Sequence, residues 1–449
     1  MSQTVDYTRR FVLLTRFAVY NLRMRPSTLT VLALAAVSMF VYTALAQDRA
    51  KPEPESATVP ITLDHDRIVI DVYLALPDGS TKRVRGWVDN GNPELRISRQ
   101  AATLMGLSVN CDGQTCSASK VSPAPPLQIL IGGMKIVLPS SKITIPAGIS
   151  TVAPGMSAEI AIPASILRNY DVLINFPDRE FSIGDPGTLK FNGVISKMLV
   201  DGDTGLIQIP SKLENKSYNL LLDLGIPVTC LSEGLFSKLA TAHPNWPQMT
   251  GAIGPANMWG ASDEAKWQLM RINRIQFGPL YLTDVPVIAW PTALEKLVSS
   301  NGKISLVGAI GSSALMNYRI GLDYTHSKVY FDLGNTFKLP EFDVVGLILR
   351  PDPDTRFTII GIADYDGKPS VPFGEDGVRV GDHLVTVDGI TVADSTMGQV
   401  WSLLEGSPGQ ERKLTVEREG KQFTVSAKVR HFLAKPEQDQ SVGKSGKQN

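Results

Sequence analysis

Charge of one sign is what this sequence most plainly lacks: Lys and Arg total 44, and Asp and Glu total 44. A chain so balanced offers no basic face to a polyanion, so nucleic acid is not an expected partner. Histidines number five and cysteines three, and neither His-Glu-x-x-His nor paired Cys-x-x-Cys occurs. The spacing for a metal site is missing, and no metal or cofactor is expected. No Gly-x-Ser-x-Gly elbow is present either, which sets serine hydrolases of that type aside. Aromatic residues are sparse at 7%, whereas 38 glycines and 30 prolines suit a β-rich chain with many turns rather than a helical bundle. At 449 residues the chain is too long for one core, so two or three folded units are expected.

The first informative stretch is N-terminal, where Arg9, Arg10, Arg16, Arg23 and Arg25 precede the apolar run Thr28–Ala46. Residues 1–27 read as a cytosolic basic segment, which sends everything after the run across a membrane. Residues 28–46 are either a signal peptide, cut after the small-x-small end Ala44-Leu45-Ala46, or an uncleaved transmembrane anchor. The polar, Pro-rich residues 47–59 read as a linker. The expected location is the periplasm or cell envelope, anchored in the inner membrane if the segment is retained. Cys111 and Cys116 bracket Asp112-Gly113, a tight-turn pair, and a small hairpin disulfide fits an oxidising compartment. Cys230 is left over and reads as a buried small hydrophobe.

An internal repeat organises the middle of the chain. Ile162–Tyr170 and Ile310–Tyr318 read alike, and Asp171–Ile183 and Arg319–Phe331 both alternate apolar and polar residues through a turn, as a closing hairpin does. Upstream, an apolar strand runs into Asp89-Asn90-Gly91 in one copy and Asp223-Leu224-Gly225 in the other. Each is followed by a short β segment and a helix, Arg99–Met105 and Glu233–Ala240, then by a hairpin turning at Gly132-Gly133 or Gly278-Pro279.

The order of strand, Asp-x-Gly, helix, hairpin, apolar-apolar-Gly and closing hairpin resembles the retropepsin-like aspartic peptidases, duplicated in one chain as in pepsin-like enzymes. The resemblance implies a mainly β fold of two β-barrel lobes, residues 60–187 and 188–338. It also implies a catalytic dyad, Asp89 and Asp223, that shares one proton and activates water to cut a peptide or protein substrate. Gly91 and Gly225 meet the need for a sharp turn after each aspartate, and Gly311 supplies the glycine of the second apolar-apolar-Gly. The family usually has Thr or Ser where Asn90 and Leu224 stand, so a half-satisfied interlobe network is expected here. Asn92, Ile226, Pro93, Pro227 and Pro163 depart from the pattern too. The competing reading is therefore a peptide-binding protein that keeps the fold without cutting. Asp203-Thr204-Gly205 spells the family motif but precedes its apolar strand instead of ending one, and reads as a surface turn. Expected flaps over the substrate are Gly132–Ile143 and Met249–Met258. Trp246, Trp259 and Trp267 either line a cleft or fill the core.

Past Pro340, the run Asp376–Gly389 with its Gly381-Asp382 and Asp388-Gly389 resembles the PDZ domains of bacterial envelope proteases. The resemblance implies an α+β domain over 339–432 that receives a peptide C-terminus as an added strand, with Gly346, Leu347 and Ile348 as the carboxylate loop. Residues 433–449 read as a disordered tail.

Overall fold

The computed structural model describes residues 53–112, 115–120, 126–139, 143–147, 149–291, 306–335 and 340–434. The basic segment and the apolar run 28–46 lie outside the described residues, and no helix among those described is long and apolar enough to cross a membrane.

Two barrel-like sheets carry the repeat. In the first, the strand Thr81–Asp89 lies parallel to Ile160–Pro163, with Asp89 opposite Pro163. Ile160–Pro163 then pairs antiparallel with Leu95–Ile97, which pairs in parallel with Ile143–Pro146. The second sheet repeats this order: Lys216–Leu222 is parallel to Gly308–Ile310, which is antiparallel to Thr229–Ser232, itself parallel to Leu280–Trp290. A parallel pair cannot be closed by a tight turn and needs a long crossover. In each lobe the chain between the paired strands supplies a short strand, a helix and a hairpin. The helices Arg99–Leu104 and Glu233–Ala242 both begin at a serine whose side chain accepts an N–H of the first turn, Ser98 from Ala101 and Ser232 from Leu235.

The closing hairpins, Asp171–Asn175 with Glu180–Gly184 and Tyr318–Asp323 with Lys328–Leu333, meet in the middle of a six-stranded sheet, where Asp171–Asn175 pairs antiparallel with Tyr318–Asp323. Ser56–Pro60 closes one edge of that sheet and Val194–Lys197 the other. The expected linker is thus corrected at its end: residues 56–60 are a paired strand. Arg179 and Ser327 turn the two hairpins with positive φ of 59° and 53°. One apolar core, from Ile68 and Ile70 through Ile174 and Phe181 to Ile320 and Phe331, runs continuously through both lobes and the central sheet.

The C-terminal unit is a sheet of Leu347–Pro351, Phe357–Ile362, His383–Val387, Glu411–Arg418 and Lys421–Lys428, with the helix Met397–Leu404. Phe342–Val344 pairs with Arg430–Phe432, and a new strand starts at Leu347. A second core joins this unit to the second lobe. Buried Arg271 fastens the same junction, donating to the Leu433 and Asp284 carbonyls at 2.9 and 3.0 Å and pairing with Glu341 at 2.8 Å. Leu433, expected to open a disordered tail, is consequently buried, because its carbonyl is one of those acceptors.

Candidate active site

Asp89 and Asp223 end equivalent strands, and the fold brings them together beneath a cavity of about 400 Å³. Both residues are 4% exposed. Each glycine of the pair of loops is pressed against the opposite aspartate. A Cβ on Gly91 would sit 2.0 Å from Asp223 Cγ, and one on Gly225 would sit 2.2 Å from Asp89 Oδ1. Only a residue without a side chain permits that crossing, so the reason for glycine here is close approach rather than a special φ.

Asn90 corrects the expectation of a half-satisfied interlobe network. Its side-chain amide reaches across the lobes, donating to the Leu222 carbonyl at 2.7 Å and accepting from the Leu224 N–H at 2.7 Å. One amide carries both a donor and an acceptor, so it satisfies both backbone groups by itself. Leu224 then has no polar duty and packs into the core that spans both lobes. No orphaned hydroxyl is left behind.

The other departures also have local reasons. The Asn92 carbonyl accepts Ala164 N–H, and the equivalent Ile226 carbonyl accepts Ser312 N–H, both at 2.9 Å. Each carbonyl thereby holds the helical turn that follows the apolar-apolar pair. A Cβ on Gly311 would sit 2.6 Å from the Val228 carbonyl carbon, whereas Pro163 keeps the same extended backbone. Asp203-Thr204-Gly205 is a turn: Asp201 Oδ1 accepts from the Thr204 N–H and hydroxyl at 2.8 and 2.7 Å.

Burial pushes the Asp89 carboxyl up to about 6, while the Arg96 charge, a hydrogen bond from Asn92 and the Arg67 charge oppose the rise. Burial pushes Asp223 further, up to about 8, and the Asp89 charge adds to the rise. Two buried carboxylates beside one another cannot both ionise cheaply, so the pair holds one proton over the interval between. The Arg96 charge favours the ionised form of Asp89, and the Asp89 charge favours the protonated form of Asp223.

The cavity walls were only partly legible. Arg96 and Cys230 stand seven residues after their respective aspartates and face the cavity from equivalent places. The equal spacing in the repeat was the available signal. Arg96 Nε is buried without a hydrogen-bond partner, and burial raises the Cys230 thiol well above its usual range. Trp87, Trp259 and Trp290 line the cavity; Trp267 is core, and Trp246 stacks on His243 at 4.0 Å.

The first expected flap is corrected, and the second reaches the cavity only at its end. The Gly132-Gly133 turn packs on Ala57 and Val59 at the central sheet, away from the dyad, and residues 140–142 lie outside the described residues. In the first lobe Val152, Ala153 and Pro154 line the cavity instead, and Val152 and Ala153 pack in one cluster with Trp87 and with Trp259 of the other lobe, which joins the two segments as a cover. In the second lobe, Met258 and Trp259 reach the cavity, while the preceding Gly251 and Gly254 lie against Ile348 and Val344 of the C-terminal unit. Under this cover sits Arg67, fully buried, donating to the Met258 carbonyl with its guanidinium 4.4 Å from the Trp259 ring.

The expected carboxylate loop is already engaged. Leu347 N–H donates to Val345 C=O at 2.8 Å, and Gly346 C=O accepts from Ala363 N–H. Leu347 and Ile348 are buried. In the Gly381-Asp382 motif, Asp382 receives both Nε and Nη2 of Arg418 at 2.8 Å, an ion pair that ties the turn to the sheet. The Cys111 and Cys116 sulfurs are joined in a disulfide.

Residues 359–429 match the PDZ domain family, and the C-terminal unit is a PDZ domain. No curated protein matches the chain. Among solved structures, the chain is similar to an aspartic proteinase from Irpex lacteus at 13% identity, covering 62% of this chain and 98% of that one with a TM-score of 0.37. It is similar also to basic 7S globulin from soybean at 10% identity, covering 62% and 94% with a TM-score of 0.39.

Proposed function

We propose that the chain is an exported aspartic-peptidase-like protein in which Asp89 and Asp223 activate water on a peptide bond. The observation that carries this reading is the crossed packing of Gly91 and Gly225 on the opposite carboxylates, which sets two buried acids side by side at the floor of a cavity. In the reaction the ionised Asp89 takes a proton from water as its oxygen attacks the scissile carbonyl carbon, and protonated Asp223 gives its proton to the carbonyl oxygen. The tetrahedral diol then returns a hydroxyl proton to Asp223 as the C–N bond breaks, and Asp89 protonates the departing amine. Water adds across the amide, and both aspartates regain their starting states. Trp87, Trp290 and Ile226 give the cavity an apolar lining suited to uncharged side chains of an extended substrate.

Export rests on the arginine-flanked apolar run and agrees with the Cys111–Cys116 disulfide. The run either anchors the chain in the membrane or is removed. PDZ domains bind peptide termini, and a peptide partner at that unit belongs to the same reading.

Cleavage of a diverse peptide library by the purified protein between pH 4 and 9 tests the proposal. Loss of cleavage in folded Asp89→Asn and Asp223→Asn variants supports it. A second reading, binding without cleavage, is favoured by the cover that Val152–Pro154 and Met258-Trp259 form from opposite sides of the cavity; library peptides retained uncut by the wild type select that reading.

A further inference from the structure

The strand Leu347–Pro351 is the end strand of the PDZ sheet, and in this domain type such an edge receives an added peptide strand. Here the chain itself holds that edge. Asn257 of the second lobe donates from Nδ2 to the Leu349 carbonyl at 2.9 Å and accepts the Leu349 N–H on Oδ1 at 2.9 Å. A side-chain amide thus presents the one donor and one acceptor that a residue of an incoming strand would present. Around it, Ile253, Ala256 and Met258 share a core with Leu347, Ile348, Leu349 and Leu404. The first lobe docks on the same unit: the Gly155 carbonyl accepts the Met397 N–H at the start of the helix, at 2.7 Å.

Both docked segments continue directly into the cover of the dyad cavity, Gly155 from Val152–Pro154 and Asn257 into Met258-Trp259. The docked loop is itself braced. Buried Glu264 accepts from Asn257 Nδ2 and, at 2.8 Å, from the Trp259 N–H. A ligand that takes the Leu349 edge must therefore displace Asn257, and the displaced segment includes the residues that close the cavity.

We propose that Asn257 is an internal occupant of the edge on which PDZ domains generally take an apolar peptide C-terminus, so that peptide occupancy of this edge and the covered state of the dyad cavity are mutually exclusive. The inference goes beyond the proposed chemistry and stands whether or not the dyad cleaves. By linkage, whatever occupies the cavity with its cover closed weakens peptide binding at the edge, and the bound peptide weakens the cover by the same factor.

The test uses the full chain and a fluorescent pool of decapeptides ending in free Val, Leu or Ile, with C-terminally amidated peptides as controls. Asn257→Ala should bind the free-carboxylate pool at least about tenfold more tightly than wild type, since the internal competitor is weakened. Saturating the wild type should raise deuterium exchange across residues 251–260. Equal affinity in wild type and variant with unchanged exchange at 251–260, or no binding in either, overturns the proposal. Should Asn257→Ala fail to fold, the wild type decides: peptide bound without loss of protection at 251–260, or no peptide bound at all, rejects it.

Discussion

Replacing Asn90 by Ala tests the junction between the lobes. The substitution leaves the Leu222 carbonyl and the Leu224 N–H without their partner, both at residues with no exposed surface. A buried backbone group left unpaired costs about 1–3 kcal/mol, so the two together cost about 2–6 kcal/mol. The void left by the carboxamide adds to that. Domains of this kind are stable by roughly 5–15 kcal/mol, so the loss is a large fraction of the whole. Even the lower figure, about 2 kcal/mol, increases local opening about thirtyfold, because 1.4 kcal/mol is about tenfold. Deuterium exchange on a fragment covering Leu222–Gly225 reads this directly, with urea unfolding as the global measure. An exchange rate there within about threefold of wild type, and an unchanged urea midpoint, would refute the view that one amide joins the lobes.

Gly225→Ala places a methyl group 2.2 Å from Asp89 Oδ1, so the loops must part; cleavage should vanish while the PDZ domain keeps its exchange protection, and an active variant would remove the close-approach argument. Arg96→Gln withdraws a charge that holds Asp89 down, so the acid limb of the cleavage profile should move to higher pH, and an unmoved limb would dissociate Arg96 from the dyad. The wild-type profile should peak between about 6 and 8, where the pair holds one proton, rather than in the strongly acid range. Glu264 is raised by burial to about 7, above its ordinary 4.5, so its contribution to stability is complete below 4.5 and lost as pH climbs through 7. Glu264→Gln should therefore lose less thermal stability than wild type between pH 5 and 8; an equal or greater loss would contradict the assignment.

The repeat was readable because alternation and turn residues are local properties, and both closing hairpins lie where alternation puts them. Cross-lobe relations were not. Nothing near Asn90 in the sequence says that its amide ends on Leu222 and Leu224, and so Leu224 looked like a missing hydroxyl when it is a core residue. The Met249–Met258 segment was assigned to a flap on its residue types alone. Ile253 and Ala256 are apolar because they face the PDZ domain, a contact invisible before the units are assembled. Arg96 and Cys230 could have been found by carrying the repeat seven residues past each aspartate.

Those two positions give equivalent acids of a duplicated site different surroundings. Two identical lobes would give each aspartate the same surroundings, and the shared proton would have no fixed side. Here one lobe sets Arg96 near Asp89, while the other sets a buried thiol, pushed well above its usual range, near Asp223. A cation stabilises the ionised form of the first, and desolvation with no compensating cation favours the neutral form of the second. The same division runs through the loops, where Asn90 supplies both interlobe hydrogen bonds and Leu224 supplies core packing. Exchanging the two side chains, Arg96→Cys with Cys230→Arg, should move the proton to Asp89. Of two variants in the exchanged background, Asp89→Asn should then mimic the protonated partner and disturb the fold less than Asp223→Asn. If the wild-type order of tolerance persists, the asymmetry has its origin outside this pair.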